Sequence, residues 1–99
     1  MPLSRDHARS PIVDLDILTV RFPMIDGARK SIWGEVSDLA LRERAITDGV
    51  TGEDNLLKRA LFERYRSMLE LLASELFDEG KYGTPSDGAT VVRVPNGRF

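Results

Sequence analysis

From Glu53 to Glu79 apolar residues recur at spacings of three and four, and no glycine or proline interrupts them. Leu57, Leu61, Tyr65, Met68, Leu72 and Leu76 fall on one face, and Phe62, Leu69 and Ala73 widen it. The opposite face carries Arg59, Glu63, Arg66, Glu70 and Ser74. This is the period of a helix with one buried side. Thr51, answered by Asp54, supplies an N-terminal cap of capping-box type, and Gly80 supplies a C-terminal stop. At 1.5 Å per residue such a helix is roughly 40 Å long, so it must organise the fold. Glu75 interrupts the apolar face and Phe77 falls on the polar side, so the buried face is expected to rotate toward Leu69, Ala73, Leu76 and Phe77.

A different period governs the residues before it. In Ile17 to Phe22, Leu18, Val20 and Phe22 alternate with Thr19 and Arg21, the signature of a half-buried strand. Pro23 is expected to end that strand or mark a sheet edge. Asp26-Gly27 signals a hairpin, with the return strand from about Ala28 to Val36. Ser37 can cap a short helix, Asp38 to about Ile46, with Leu39, Ala40 and Ala45 turned inward and Arg42, Glu43 and Arg44 solvated. Beyond the long helix, Lys81 to Gly88 reads as a loop and Ala89 to Val94 as a β-branched strand. The order is β-β-α-α-β. The expectation is an α+β fold, a three-stranded antiparallel sheet with one long and one short helix packed on one face. Residues 1–16 are expected to form a flexible N-terminal arm, 17–95 a single α+β domain, and 96–99 a C-terminal tail.

One aromatic residue fits this scheme badly. Strict alternation turns Trp33 away from Ile32 and Val36, onto the sheet face that the helices leave open, near Thr19, Arg21 and Val91. A large aromatic on an open face needs a cover. The sequence offers three: a second copy of the chain, the arm folding back with Ile12, Val13 and Leu15, or a different protein. A homodimer ranks first, because two-fold assembly is common in small chains. Trp33, Arg21, Thr19 and Val91 are therefore the candidate interaction surface.

Composition narrows the functional classes. The chain has 99 residues with 41% hydrophobic and 30% charged content, which suits one small globular domain. Its formal net charge of −2 ranks nucleic acid below protein contacts, since nucleic-acid binders are normally basic. Arg29 and Lys30 near the hairpin tip, with Arg93, are the weak nucleic-acid candidates. A DNA-binding or transcription-related accessory is the alternative reading they support. Cysteine is absent, which removes disulfides and thiolate metal sites and fits a cytoplasmic home. No apolar run approaches a membrane span, and no cofactor or metal motif is visible. The lone histidine, His7, sits in the arm. Glu75, Asp78 and Glu79 match no calcium-loop spacing, and their acidity at the negative end of the helix dipole has no evident role. An enzyme using an unrecognised carboxylate site ranks below a small non-enzymatic protein that acts through protein contacts or homodimerisation.

Several segments together carry a resemblance: LTVRFPMIDG, WGEVSDLAL, the run DNLLKRALFERYRSMLELLASELF and the closing DGATVVRV. The chain resembles a short bacterial family of unknown function, the domain family numbered 1488, over Leu18 to Val94. The matching positions are Val20 and Phe22, then Val36, Ser37 and Leu41, then Phe62, Arg66, Leu69 and Ala73. Trp33 departs from the small residue common there, and Leu69 stands in place of isoleucine. The resemblance implies the α+β fold and brings no activity, since none is established for that family.

Overall fold

A computed structural model describes residues 3–13, 18–83, 89–95 and 97–99. Asp14, Leu15, Asp16 and Ile17 lie outside the described residues, as do 84–88 and Asn96. The architecture is α+β, as the sequence leads one to expect, but its sheet differs. Strands β1 (Ser4–Arg5), β2 (Thr19–Ile25), β3 (Ser31–Ser37) and β4 (Thr90–Val94) form one four-stranded sheet in the order β1-β2-β3-β4. The first two pairings are antiparallel and β3 runs parallel to β4, so the sheet is mixed. Helices α1 (Asp38–Thr47) and α2 (Lys58–Asp78) join β3 to β4.

The parallel pairing follows from path length. Ser37 ends β3 and caps α1 at once, its hydroxyl accepting the Ala40 N–H at 3.0 Å. The 21 residues of α2 span roughly 30 Å, longer than β3, and carry the chain back past the strand. It therefore re-enters at the end where β3 began, and β4 must run the same way, as helical crossovers impose.

Pro23 corrects a second expectation. β2 continues through it to Ile25, and Pro23 is buried. Its carbonyl accepts the Asp6 N–H at 3.1 Å, so its main-chain groups face β1. There the arm bulges away after Asp6, and the missing donor costs the ladder nothing.

The long helix is shorter than its pattern. Asp54–Leu56 forms a separate 3-10 turn, and Leu57 is extended at φ −64° and ψ 141°. Thr51 caps nothing there; its carbonyl instead accepts the Asn55 side-chain N–H at 2.9 Å, and α2 begins at Lys58 with no side-chain cap at Leu57. No glycine or proline announces this break. Leu56 packs on the core while Leu57 points to solvent, which divides the apolar pattern between two pieces. Both helices end as Schellman motifs. The Lys81 N–H reaches the Leu76 carbonyl and the Val50 N–H the Ala45 carbonyl, each at 2.9 Å, around Gly80 and Gly49 at φ 78° and 74°.

One core joins the helices to the sheet. Val20, Phe22, Met24, Ile32, Val36, Val92 and Val94 meet Leu61, Phe62, Tyr65, Leu69, Ala73 and Leu76 of α2, with Ala40, Leu41 and Ala45 of α1. The buried side of α2 is thus centred nearer Phe62 and Leu69 than Met68, which is exposed. Leu39 also faces solvent rather than the core.

The terminal segments are built into this body. Leu3 is buried and donates its N–H to the Ser74 hydroxyl at 2.9 Å. Arg5 forks onto both oxygens of Glu70 at 2.7 Å, tying β1 to α2. At the other terminus the Phe99 ring meets Tyr65 edge-on at 5.3 Å, and its carbonyl accepts from Arg44. Residues 3–13 and 97–99, expected as arm and tail, therefore contribute core and ion-pair contacts. Arg44 is drawn in with them and is half-buried rather than solvated.

Candidate functional site

Alternation along the strands divides the sheet into a helix-covered face and an open one. On the open face, register places Arg21 opposite Glu35 and Pro23 opposite Trp33 between β2 and β3, and Trp33 beside Val91 and Glu35 beside Arg93 between β3 and β4. Thr19 lies two residues from Arg21 on the same side. The sequence-expected group of Thr19, Arg21, Trp33 and Val91 therefore shares one surface.

At its centre stands a residue the sequence reading missed. Glu35 is only 4% exposed, yet both its oxygens are occupied by cations. Arg21 Nε donates to Oε2 at 3.0 Å, and Arg93 donates to Oε1 through Nε at 3.0 Å and Nη2 at 2.8 Å. A carboxylate so far from water persists because it is paired on both sides. Alternation alone placed Glu35 beside Trp33, and cross-strand register gave it Arg21. The signal was available once the hairpin turn was fixed.

Trp33 has its cover from within the chain. The Arg9 guanidinium lies 4.5 Å from the ring centroid, a cation–π contact. Arg9 Nε is held by Asp6 Oδ2 at 2.6 Å, and its Nη2 donates to the carbonyls of Met24 at 2.8 Å and Ile32 at 3.2 Å. The Asp6 carboxyl is held below the usual carboxylate range, first by the Arg9 hydrogen bond and then by the Ala8 N–H. The arm does fold back, as one of the three covers, but among the described residues the contact is made by Arg9 rather than by Ile12 or Val13. Ile12 instead pairs with Arg21 at the β2 edge, and Leu15 lies outside the described residues.

Beside this pair the open face deepens into a cleft of about 690 Å³, lined by Arg21, Glu35, Val91, Arg93 and the stretch Gly80 to Gly83. The wall forms because Gly83 pairs with Val91 through two hydrogen bonds, of 2.9 and 2.8 Å, along the outer edge of β4. Tyr82 is held there by its ring contact with Phe77 at 4.9 Å. Lys81 is balanced by Glu79 at 3.3 Å. It is a shallow depression open to solvent rather than an enclosed cavity.

The remaining candidates fall elsewhere. Arg29 and Lys30 occupy the β2–β3 turn, around Asp26 Oδ1, which accepts from the Ala28 and Lys30 N–H groups at 2.9 and 2.8 Å. Arg21 and Arg93 are gathered on Glu35, so these four cations do not form one patch. Glu75 and Glu79 face the Arg98 guanidinium at 3.8 and 3.1 Å, which gives the acidic end of α2 a structural partner. Neither these residues nor Asp78 lines the cleft. His7 is exposed in the arm bulge. Among the described residues no cluster of three metal-ligating side chains occurs, and no helix is long and apolar enough to cross a membrane. No family model, no curated protein and no solved structure matches the chain.

Proposed function

We propose that this chain is a small non-enzymatic cytoplasmic protein that acts by docking another protein on the open face of its sheet. The observation that supports this is the Arg21–Glu35–Arg93 cluster, fixed in place beside Trp33 on the one face the helices do not cover. A rigid aromatic next to forked arginines is the residue chemistry enriched at protein interfaces. The uncovered tryptophan that motivates a homodimer in the sequence is capped by Arg9 within the chain. The case for docking therefore rests on the arginine cluster rather than on an uncovered ring, and two copies meeting face to face would set two such positive clusters against each other. The resemblance to bacterial family 1488 remains part of this reading and adds no chemistry to it.

Photocrosslinking in the native host tests the proposal. A photoreactive residue at position 91, on the open face, is compared with one at position 71, on the exposed outer surface of α2. The expected result is a discrete heterologous adduct from position 91 that disappears with Trp33→Ala. Adducts formed only from position 71 would overturn the proposal, and self-adducts from position 91 would replace it with the homodimer.

A further inference from the structure

We infer that the cleft anchors the partner through one carboxylate, presented by an acidic peptide segment with apolar neighbours. This rests on the open face being the docking surface and names the chemistry it selects. Arg21 uses only Nε on Glu35, and Arg93 uses Nε and Nη2. The other guanidinium donors of both residues have no hydrogen-bond partner among the described residues. The Arg93 side chain is 76% exposed, so its free edge meets the cleft from solvent. Glu35, sunk beneath the two guanidinium groups, holds them at a fixed orientation. An incoming anion thus meets donors whose side-chain entropy is already spent.

Charge count selects the ligand. Among the described residues that line the cleft, two guanidinium groups exceed the one buried carboxylate by a single charge, and Lys81 is paired with Glu79. A monoanion neutralises the cluster. A phosphate dianion would leave net negative charge against the buried Glu35, where repulsion is poorly screened. Planar carboxylate also suits the guanidinium fork. Val91 and Tyr82 also line the cleft and supply apolar surface beside the anchor, which a peptide fills and a free small acid does not. The whole protein is acidic, with a net charge of −2, so the local excess of positive charge is a property of this cleft rather than of the surface at large.

The test is an amide and arginine Nε NMR titration of the full chain with four probes. These are a blocked heptapeptide bearing one glutamate between two leucines, its glutamine counterpart, sodium acetate and inorganic phosphate. The expected outcome is saturable shifts at Arg21, Glu35, Val91 and Arg93 with the glutamate peptide. The glutamine peptide should bind at least about 10-fold more weakly, the usual scale for losing one charged hydrogen-bonding group. Arg93→Lys, which keeps the charge but not the fork, should weaken the glutamate peptide several-fold while the remaining spectrum is unchanged. Acetate matching the peptide would overturn the peptide segment in favour of a free small acid. Phosphate binding more tightly would overturn the carboxylate, as would equal binding of the two peptides or no shift with any probe. A position-91 adduct with a partner that these results exclude would sink the carboxylate anchor and leave the docking surface standing. Loss of the adduct itself would sink both.

Discussion

The Phe22 ring occupies the space that a side chain at position 34 would need. Phe22 and Gly34 face each other across β2 and β3, and a Cβ built on Gly34 would meet the ring at 2.1 Å. The glycine is there for close approach, since its φ is not among the positive ones. The ring covers the glycine and meets Phe62 of α2 at 5.8 Å, so this pair bears on how closely the helix sits on the sheet. Gly34→Ala should cost about 3 kcal/mol, the upper range for forcing extra volume into a packed core. Phe22→Leu, which vacates the ring's far edge, should return part of that cost in the double variant. Chemical denaturation of the four proteins measures the coupling; strict additivity would show that the ring and the glycine do not compete.

Arg9 and Trp33 make a second testable pair, joined through Asp6. Arg9→Ala should leave the fold intact and move Trp33 emission to longer wavelength, because the half-buried ring loses its cover. Asp6→Asn should do the same more weakly, since Arg9 keeps its bonds to the Met24 and Ile32 carbonyls. The Asp6 carboxyl is depressed in the folded chain, so its contribution is complete above the unfolded value, near 3.8, and fades as pH falls through the lower folded one. The emission shift in wild type should therefore begin only below that value. An Asp6→Asn protein with the same acid profile as wild type would remove Asp6 from the device.

Much of this molecule was legible because the information is local. The two-residue period of β2 and β3, the Asp26-Gly27 turn and the Ser37 cap each lie within a few residues of their consequence. Trp33 was placed on the correct face by counting alone. What the sequence hid is non-local. The direction of β4 depends on how far α2 travels, not on the strand's own residues. Arg5 meets Glu70, and Arg9 reaches Trp33, across separations that no period encodes. The break at Leu57 accompanies the docking of Leu56 into the core, and no glycine or proline between Glu53 and Lys58 marks it. Glu35 lay between these cases. Its face was readable, but its second arginine depended on the register of β4 against β3.

Arg29 stands at φ 62°, the only non-glycine with positive φ among the described residues. The Asp26-Gly27 signal thus marks the hairpin, and the left-handed residue of the turn stands two positions beyond Gly27. The turn is closed by Arg29 N–H to the Asp26 carbonyl at 3.0 Å and by Asp26 N–H to the Lys30 carbonyl at 3.1 Å. A side chain in this conformation carries a strain that glycine lacks. Arg29→Gly should therefore stabilise the protein by roughly 0.5 to 1 kcal/mol, after the extra freedom of glycine in the unfolded chain is set against it. Thermal unfolding reads this as a rise of a few degrees. Ala28→Gly, where φ is already negative, is the control and should destabilise. A loss of stability in Arg29→Gly would mean that its side chain contributes more than its backbone costs.

The Tyr65 hydroxyl donates to Asp48 Oδ2 at 2.8 Å, linking the middle of α2 to the end of α1. Arg44 donates to the same oxygen at 3.1 Å. The Tyr65 phenol is pushed up, first by burial and then by the bond to Asp48. The Asp48 carboxyl is held down, first by Tyr65 and then by Arg44. The signs give two edges. A depressed carboxyl contributes fully above its unfolded value and loses that contribution as pH falls through the folded one. A raised phenol contributes fully below its unfolded value, near 10, and loses that contribution as pH rises through the folded one. Tyr65→Phe should therefore lower the melting temperature by a few degrees across the neutral range. Its difference from wild type should narrow below about pH 4 and again above about pH 10. The Asp48 carboxyl carbon, followed by NMR, should titrate at higher pH in Tyr65→Phe than in wild type, with Arg44 and Arg64 still holding it partly down. A temperature difference that stays flat at both extremes, with an unmoved Asp48 titration, would show that the two helices are joined by packing rather than by this hydrogen bond.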